Sequence, residues 1–194
     1  MSKLKKISGR PRDQLSKKAI LDATVFLIRK KGYEGLAIEQ IAERAQVGKT
    51  TIYRWWENKA SLAIEAFFNS TVDELKFSYC SSAKEDFRSQ IQSLAKLFRS
   101  PYGKVLGALL TGSKTDPKLA KAISQKWLLP RKKWGFERIN KAIKEGECLP
   151  GINPNLALEA MYSPLYSNFF LNIKAASDVE INEYLDFVLP IIFK

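Results

Sequence analysis

The sequence predicts an all-α protein in which a small N-terminal domain of three helices precedes a larger helical domain. Apolar residues recur at helical spacing along the chain, and no stretch alternates apolar and polar residues as a strand would. At 194 residues the chain is long enough for a small domain followed by a larger one. We predict a flexible basic arm over residues 1–14, the small domain over 15–60 and the larger domain over 61–194.

The arm is predicted from its composition, and the first helix from its apolar spacing. Residues 1–14 are polar and basic and include a glycine and a proline, as is typical of a flexible segment. From Ser16 the pattern becomes helical, and Gly32 ends the helix directly behind two lysines that suit the negative end of its dipole. The stripe at positions i, i+3, i+4 and i+7 is formed by Ile20, Ala23, Thr24 and Leu27.

Two short helices joined by a tight turn follow the first helix. They are predicted over about 37–44 and 50–56, with the turn at 47–48, and Asn58 is the expected N-cap of a longer helix that starts at Lys59. The apolar face of the first short helix is formed by Ile38, Ile41, Ala42 and Ala45. A supporting helix followed by two short helices with a tight turn between them is the plan of a helix-turn-helix.

The larger domain is predicted to contain the helical segments 84–99, 101–113, 116–145, 154–174 and 178–193. Pro130 lies inside the third segment and is expected to kink or split it, because proline has no backbone N–H to donate. Asp116 and Pro117 suit the cap and the first turn of that segment. Gly146 ends it, and a Pro-Gly turn at 150–151 separates it from the next helix.

The net charge of +12 is concentrated near the N-terminus. Residues 1–60 carry 14 Lys/Arg and 6 Asp/Glu, a net of +8, whereas residues 61–194 carry 18 and 14, a net of +4. This asymmetry predicts a polyanionic partner for the N-terminal third. A membrane is not expected as that partner, because no apolar stretch approaches the roughly 18 residues of a spanning helix and the basic N-terminus lacks the apolar core of a signal peptide.

The residue types argue against most catalytic and metal chemistry. The chain has no histidine, which removes the usual general base and imidazole metal ligands, and no cofactor is predicted. Cys80 and Cys148 form no motif, so we expect a reducing, cytoplasmic location. An enzyme using Glu137, Glu145 and Glu147 is the alternative from another class, but these carboxylates lie near a helix end, where solvation or capping explains them.

Residues 32–62 read GYEGLAIEQIAERAQVGKTTIYRWWENKASL and resemble the tetracycline-repressor (TetR) family. The resemblance extends over about 10–65, and so many elements at fixed spacing make it specific. The matching elements are Gly32-Tyr33, Ile41-Ala42, Ala45, Val47-Gly48, Thr51, Ile52-Tyr53 and Asn58-Lys59 before Leu62. Residues 142–171 also resemble a common C-terminal subgroup, in which a Gly-Glu turn precedes a helix with a Pro-Leu-Tyr step.

The second short helix has the composition of a DNA-recognition helix, which turns an apolar residue inward and polar side chains outward. Ile52 is the expected inward residue, and Val47 is expected to pack at the turn. The predicted DNA surface consists of Lys49, Thr50, Thr51, Tyr53, Arg54 and Trp55. The resemblance implies that Tyr53 and Lys59 hold phosphates, and Lys59 is placed at a helix N-terminus, which favours an anion. The alternative is a solvated basic face.

Two residues depart from the family pattern. Ala37 stands where a threonine usually caps the second helix, and a missing cap costs about 1 kcal/mol. Gln46 stands where glycine is usual, and a positive φ there would cost roughly 1 kcal/mol. Both departures are expected to weaken local stability rather than DNA contacts. On the arm, Arg10 and Arg12 are predicted either to enter the adjacent minor groove or to act as a nonspecific electrostatic tail.

The resemblance implies a ligand pocket and a dimer surface in the larger domain. For the pocket we predict an apolar lining, suited to a hydrophobic effector with either aromatic or cationic character allowed, and ordinary core packing is the alternative for each residue. Its candidates are Phe67, Tyr102, Leu106, Leu110, Trp127, Trp134 and Tyr162. The dimer candidates, on the last two long helices, are Leu156, Ala160, Tyr162, Leu165, Phe169, Leu185, Val188 and Leu189.

The predicted function is that of a homodimeric repressor, which binds a palindromic DNA operator and is released by a small hydrophobic effector. The alternative is a DNA-binding dimer without a small-molecule response, controlled by a protein partner or by abundance. A second basic cluster is interpreted as a solvated helix face rather than as further DNA contacts. It comprises Lys126, Arg131, Lys132, Lys133, Arg138, Lys141 and Lys144.

Overall fold

A computed structural model describes residues 10–71, 82–171 and 176–194, and it confirms the all-α class. These residues form helices and turns without a strand, apart from one isolated bridge between Cys148 and Phe193. The helices are α1 (Arg10–Lys31), α2 (Ile38–Ala45), α3 (Lys49–Trp55), α4 (Lys59–Thr71), α5 (Ala83–Arg99), α6 (Pro101–Gly112), α7 (Pro117–Ile123), α8 (Leu129–Lys144), α9 (Pro154–Phe170) and α10 (Asp178–Val188). None of the helices in these three ranges is long and apolar enough to cross a membrane.

The first helix begins earlier than predicted, so the assignment of residues 10–14 to a flexible arm is wrong. α1 starts at Arg10, with Pro11 in its first turn, where the missing N–H of proline has no helical partner to lose. Asp13 also lies in this turn, where a negative charge suits the helix dipole. Residues 1–9 lie outside the described ranges.

Pro130 splits the predicted segment 116–145, as expected. α7 gives way to a π-helical turn at Ser124–Leu128, and α8 then starts with Pro130 in its first turn. A π turn widens the helix locally and so accommodates a residue that cannot donate its backbone hydrogen bond. Asp116 caps α7, with its carboxylate accepting from the backbone N–H groups of Lys118 and Leu119.

The last predicted helix, 178–193, is shorter in the structure. α10 ends at Val188, and Leu189–Ile191, which contains Pro190, forms a short 3₁₀ turn. The predicted segment 154–174 ends as α9 at Phe170, and residues 172–175 lie outside the described ranges.

α4 connects the two parts of the molecule. It packs against α1 on one side and against α6 and α7 of the larger part on the other. The predicted boundary at residue 60 falls at its start, just after Lys59. Phe67 on α4 is fully buried and meets the ring of Trp127 edge to face at a centroid distance of 6.2 Å. α4 therefore carries contacts from the first three helices into the core of the larger domain.

Candidate DNA-reading face and ligand cavity

The geometry of α2, α3 and the turn between them follows the sequence prediction. Ile52 is completely buried and Val47 packs against the core beside it. Ala37, at the N-cap of α2, is extended and its side chain makes no capping hydrogen bond. Gln46 has φ 54° and ψ 45°, and it is the only residue other than glycine with a positive φ in the described ranges. The structure therefore shows both expected weaknesses: α2 has no side-chain N-cap, and the turn after it contains a residue other than glycine with a positive φ.

Five of the six predicted α3 residues are exposed. These are Lys49, Thr50, Tyr53, Arg54 and Trp55, while Thr51 is half-buried. Because Ile52 anchors the opposite side of the helix, α3 presents one continuous polar and aromatic face to solvent. Such a face has the residue types that read base edges and phosphates in a major groove.

Two cations of α3 are held by carboxylates of neighbouring helices. Lys49 Nζ lies 3.2 Å from Glu39 Oε1 on α2, and an Arg54 amino group lies 2.5 Å from Asp13 Oδ1 on α1. A hydrogen bond from its own backbone and the contacts with Lys49 lower the pKa of Glu39. All four side chains are well exposed, so these ion pairs are weak. DNA phosphates can therefore replace the carboxylates as partners of the two cations.

Lys59 lies at the start of α4 but is directed toward Tyr33. Its Nζ donates to the Tyr33 carbonyl at 3.2 Å and lies 4.4 Å from the centroid of the Tyr33 ring. A phosphate contact by Lys59 would therefore have to share or replace the carbonyl contact. The backbone of Arg10 and Arg12 forms the start of α1, and their side chains lie outside those that the structure describes.

The loop after α1 forms a joint with the start of α7. The Tyr33 hydroxyl donates to Asp116 Oδ2 at 2.6 Å, and the Thr115 hydroxyl donates to Glu34 at 2.7 Å. Gly112 lets the two parts approach closely, since a Cβ there would lie only 2.5 Å from Cδ1 of Tyr33. Burial and the hydrogen bond to Asp116 raise the pKa of Tyr33, so it remains a neutral donor.

A cavity of about 430 Å³ opens between α5, α8 and α9. Its volume falls within the range typical of small-molecule sites. It is lined by Gln90, Leu128, Arg131, Lys132, Gly135, Leu158, Glu159, Tyr162, Ser163 and Tyr166. Apolar side chains and tyrosine rings form its walls, and polar groups from α8 and α9 converge on it.

Of the seven predicted pocket residues, only Tyr162 lines this cavity. The other six are corrected as follows. Phe67, Leu106 and Trp127 are buried as core, Tyr102 and Leu110 pack partly buried against it, and Trp134 is exposed. Helical spacing identifies apolar faces, and at five of these six positions the side chains pack in or against the core.

Arg131 is one of the nine lining residues that the sequence analysis did not assign to a pocket. It was assigned to a solvated basic face, but it is half-buried, with its guanidinium carbon 5.9 Å from the centroid of the Trp127 ring. Burial lowers the pKa of Arg131, opposed by the neighbouring Tyr166 and Tyr162. The sequence signal that could have identified Arg131 is its position directly after Pro130, where the helix changes from a π turn to α8.

Arg138 also departs from the predicted solvated face. It is buried, and its guanidinium contacts Asp86 Oδ2 at 2.5 Å and Glu147 Oε1 at 3.2 Å. Glu147 in turn accepts from the backbone N–H of Ala83 at the start of α5. Glu147 therefore contacts the N-terminus of α5 and the buried Arg138, rather than the helix end beside which it lies in the sequence.

Four predicted dimer residues face the interior of the single chain, which corrects their assignment. Leu165, Leu185, Val188 and Leu189 are buried within the protomer. Phe169 is half-buried and stacks on Phe98 at a centroid distance of 4.2 Å. Leu156 and Ala160 are exposed, as a surface role requires. The exposed apolar residues on α10 and its C-terminal turn, which the sequence reasoning missed, are Val179, Phe187 and Ile191.

A three-helix unit with an exposed recognition helix, joined through one shared helix to a larger helical domain with a cavity, defines a helix-turn-helix transcription regulator. Family models agree with this class in both parts of the chain. Residues 20–66 match the bacterial regulatory proteins of the tetR family, and residues 81–188 match the tetracyclin repressor-like C-terminal domain. The chain belongs to the TetR family.

Named relatives and solved structures extend these matches over most of the chain. The HTH-type transcriptional regulator YdeS of Bacillus subtilis (strain 168) is 30% identical over 175 residues, which cover 90% of this chain and 88% of YdeS. The TetR family transcription regulator SCO0332 has a TM-score of 0.73 at 24% identity, covering 92% of this chain and 99% of that one. FadR from Bacillus subtilis, solved with stearoyl-CoA, has a TM-score of 0.70 at 21% identity, with 90% and 98% covered. Because sequence identity to these two solved structures is only 24% and 21%, they show that the fold is shared and no more.

Proposed function

We propose that this TetR-family regulator is a homodimeric repressor that reads a two-fold-symmetric operator with α3 and is released by a small molecule in the cavity. The observation that carries the proposal is the exposed polar face of α3 around the buried anchor Ile52. The face combines Lys49 and Arg54, which can donate to guanine edges or phosphates, with hydroxyl groups suited to phosphates and bases.

A dimer is needed because one α3 contacts only a few base pairs. Two copies related by a two-fold axis would place their α3 helices in successive major grooves, about one helical turn apart. The exposed apolar side chains on α9 and α10 support a self-complementary contact, with Leu156 65% and Phe187 70% exposed in the single chain. Pairing of these two helices with their copies would form a four-helix bundle.

The cavity supports a small-molecule response because a chain of aromatic contacts links its lining to α4. Tyr166 lines the cavity and meets Trp127 edge to face at 6.3 Å, and Trp127 meets Phe67 on α4. A ligand that moves Tyr166 would therefore act on the helix that begins at the DNA-reading unit. The FadR structure with stearoyl-CoA adds that a protein of this fold holds a small molecule. The ligand shifts the conformational equilibrium by no more than its difference in affinity for the two states.

A footprint on the DNA that flanks the gene tests the repressor function. We expect a two-fold-symmetric protected region that is lost in the double variant Lys49→Ala/Arg54→Ala and kept in the matched variant Lys30→Ala/Lys31→Ala, which removes two exposed cations from α1. Binding that is independent of sequence and disappears at moderate salt would contradict the proposal. A specific footprint that no bound ligand weakens would instead support a DNA-binding dimer without a small-molecule response.

A further inference from the structure

We infer that the cavity binds an amphipathic anion, with its acidic group on Arg131 and its apolar part along Leu128, Leu158 and the tyrosine rings. The inference rests on the proposed function and specifies the chemical class of its ligand. Arg131 supplies the observation that carries it.

Arg131 and Arg138 share α8 but have opposite surroundings. Arg138 is buried against two carboxylates, Asp86 and Glu147. Arg131 forms no ion pair with any acidic side chain of residues 10–71, 82–171 or 176–194. Its neighbours are the ring of Trp127 and the phenol of Tyr166. Among the residues that the structure describes, Arg138 therefore has acidic partners and Arg131 has none.

The described groups that neighbour Arg131 carry no negative charge near pH 7. Burial raises the pKa values of Tyr162 and Tyr166, so both phenols are neutral near pH 7. A guanidinium remains charged in proteins, and withdrawing it from water is unfavourable unless an anion pairs with it. A carboxylate or phosphate in the cavity would supply that partner in bidentate geometry.

The rest of the lining selects for an anion with an apolar part. Lys132 adds a second cation to the lining, against one carboxylate, Glu159. This balance disfavours the cationic effector that the aromatic composition of the sequence had allowed. Away from these groups the walls are formed by Leu128, Leu158 and tyrosine rings, which suit a hydrocarbon chain or ring.

Three probes that share a ten-carbon chain but differ in their head group test the ligand class. Decanoate, 1-decanol and decyltrimethylammonium are titrated into the full-length protein, and binding is followed by tryptophan fluorescence and by the thermal midpoint. We expect decanoate to bind at least tenfold more tightly than decanol, and decyltrimethylammonium to bind most weakly. Equal affinity for decanoate and decanol, tighter binding of the cation, or no decanoate binding at millimolar concentration would overturn the inference.

Variants of α8 test whether Arg131 produces the preference for decanoate over decanol. Arg131→Leu should abolish the tenfold preference for decanoate while leaving decanol binding unchanged, and Arg131→Lys should retain part of it. Lys133→Leu is the matched control, because it removes an exposed cation from the same helix outside the cavity lining. A preference that survives in Arg131→Leu contradicts the role of Arg131. The comparison of the three probes in the unaltered protein stands even if a variant does not fold.

Operator release separates this inference from the proposed function. If decanol or decyltrimethylammonium binds in the cavity and releases DNA while decanoate does not, the ligand-released repressor stands and the anion class is wrong. If decanoate binds in an Arg131-dependent way but the protein gives no specific footprint, the ligand class stands and the repressor function is wrong.

Discussion

A short hydrogen bond between Tyr33 and Asp116 is one of the contacts that join the DNA-reading unit to the larger domain. The Tyr33 hydroxyl donates to Asp116 Oδ2 at 2.6 Å across 83 positions of sequence. Asp116 is also the N-cap of α7, the helix that leads through the π turn to Arg131 and the cavity. The Asp116 carboxylate therefore caps α7 in the larger domain and also accepts a hydrogen bond from the loop after α1 in the DNA-reading unit.

Tyr33→Phe is expected to lower the free energy of unfolding by about 1–2 kcal/mol, since it removes a hydrogen bond to a charged acceptor. That bond lowers the pKa of Asp116. Its contribution is therefore present above the ordinary aspartate pKa of about 3.9 and is lost as pH falls through the lower, folded-state pKa. Urea unfolding at pH 7 and pH 3 should show the cost of the substitution shrinking in acid.

Tyr53→Phe is the matched control for Tyr33→Phe. It removes the same hydroxyl from an exposed residue of α3 and should leave stability unchanged within about 0.5 kcal/mol. Equal stability of Tyr33→Phe and the unaltered protein at pH 7 would show that the joint contributes nothing to the folded state.

Gln46→Gly is expected to stabilise the protein by about 1 kcal/mol. Gln46 is exposed and adopts φ 54°, a conformation in which a Cβ is unfavourable and glycine is not. Gln46→Ala keeps the Cβ and should give no such gain, so the pair separates backbone strain from loss of the side chain. A urea midpoint that rises equally in both variants, or falls in Gln46→Gly, would contradict this explanation.

Local features of the fold were predictable from the sequence, whereas the choice of packing partner was not. Ile52, Gln46 and the split at Pro130 follow from the spacing and chemistry of neighbouring residues, and the structure confirms each. Leu185 was placed on the dimer surface because periodicity shows that a helix face is apolar but not what covers it. In the structure the protomer itself covers that face.

Charged residues show the same limit of sequence reasoning. Arg131 and Arg138 belong to one basic run, and the run as a whole has the composition of a solvated face. Their surroundings depend on α5 and α9, which are distant in sequence, and on the turn of the helix at Pro130. The start of α1 at Arg10 was missed for a different reason, since Pro11 was interpreted only as a sign of a flexible segment, although proline also suits the first turn of a helix.

Arg138→Met is expected to destabilise the protein by about 3–5 kcal/mol at pH 7, because it removes one member of the buried ion pair between Arg138 and Asp86. Although burial opposes it, hydrogen bonds from Ala83 and Arg138 lower the pKa of Glu147. In the unaltered protein this contribution is present above the ordinary glutamate pKa of about 4.3 and is lost as pH falls through the folded-state pKa. The difference in the free energy of unfolding between the variant and the unaltered protein should therefore narrow as the pH falls toward 4.

Lys141→Met provides the control for Arg138→Met. It removes an exposed cation of α8 whose ion pair with Glu145, at 3.7 Å, is solvent-accessible, and it should change stability by less than about 0.5 kcal/mol. Similar unfolding midpoints for the two methionine variants would show that the buried pair does not stabilise the fold.

Asp13→Asn is expected to tighten operator binding about two- to fivefold at low salt. Asp13 holds Arg54 of the recognition helix at 2.5 Å, so DNA must displace this carboxylate before the guanidinium can pair with a phosphate or base. Asp22→Asn, an exposed aspartate on the same helix, controls for the change in net charge. Fluorescence anisotropy with labelled operator should show a gain for Asp13→Asn beyond that of Asp22→Asn, and equal gains would rule out competition for Arg54.

Phe187→Asp is expected to weaken the proposed dimer at least thirtyfold, since a charge placed in an apolar contact loses about 2 kcal/mol or more at a central position. Phe187 is 70% exposed in the single chain, so the substitution should leave the fold of each protomer intact. Leu15→Asp changes a similarly exposed apolar residue, 69% exposed on α1, and should leave the association constant unaltered. Sedimentation velocity over a range of protein concentrations measures association, and circular dichroism checks the fold. If Phe187→Asp associates as tightly as Leu15→Asp, the α9–α10 surface is not the dimer interface.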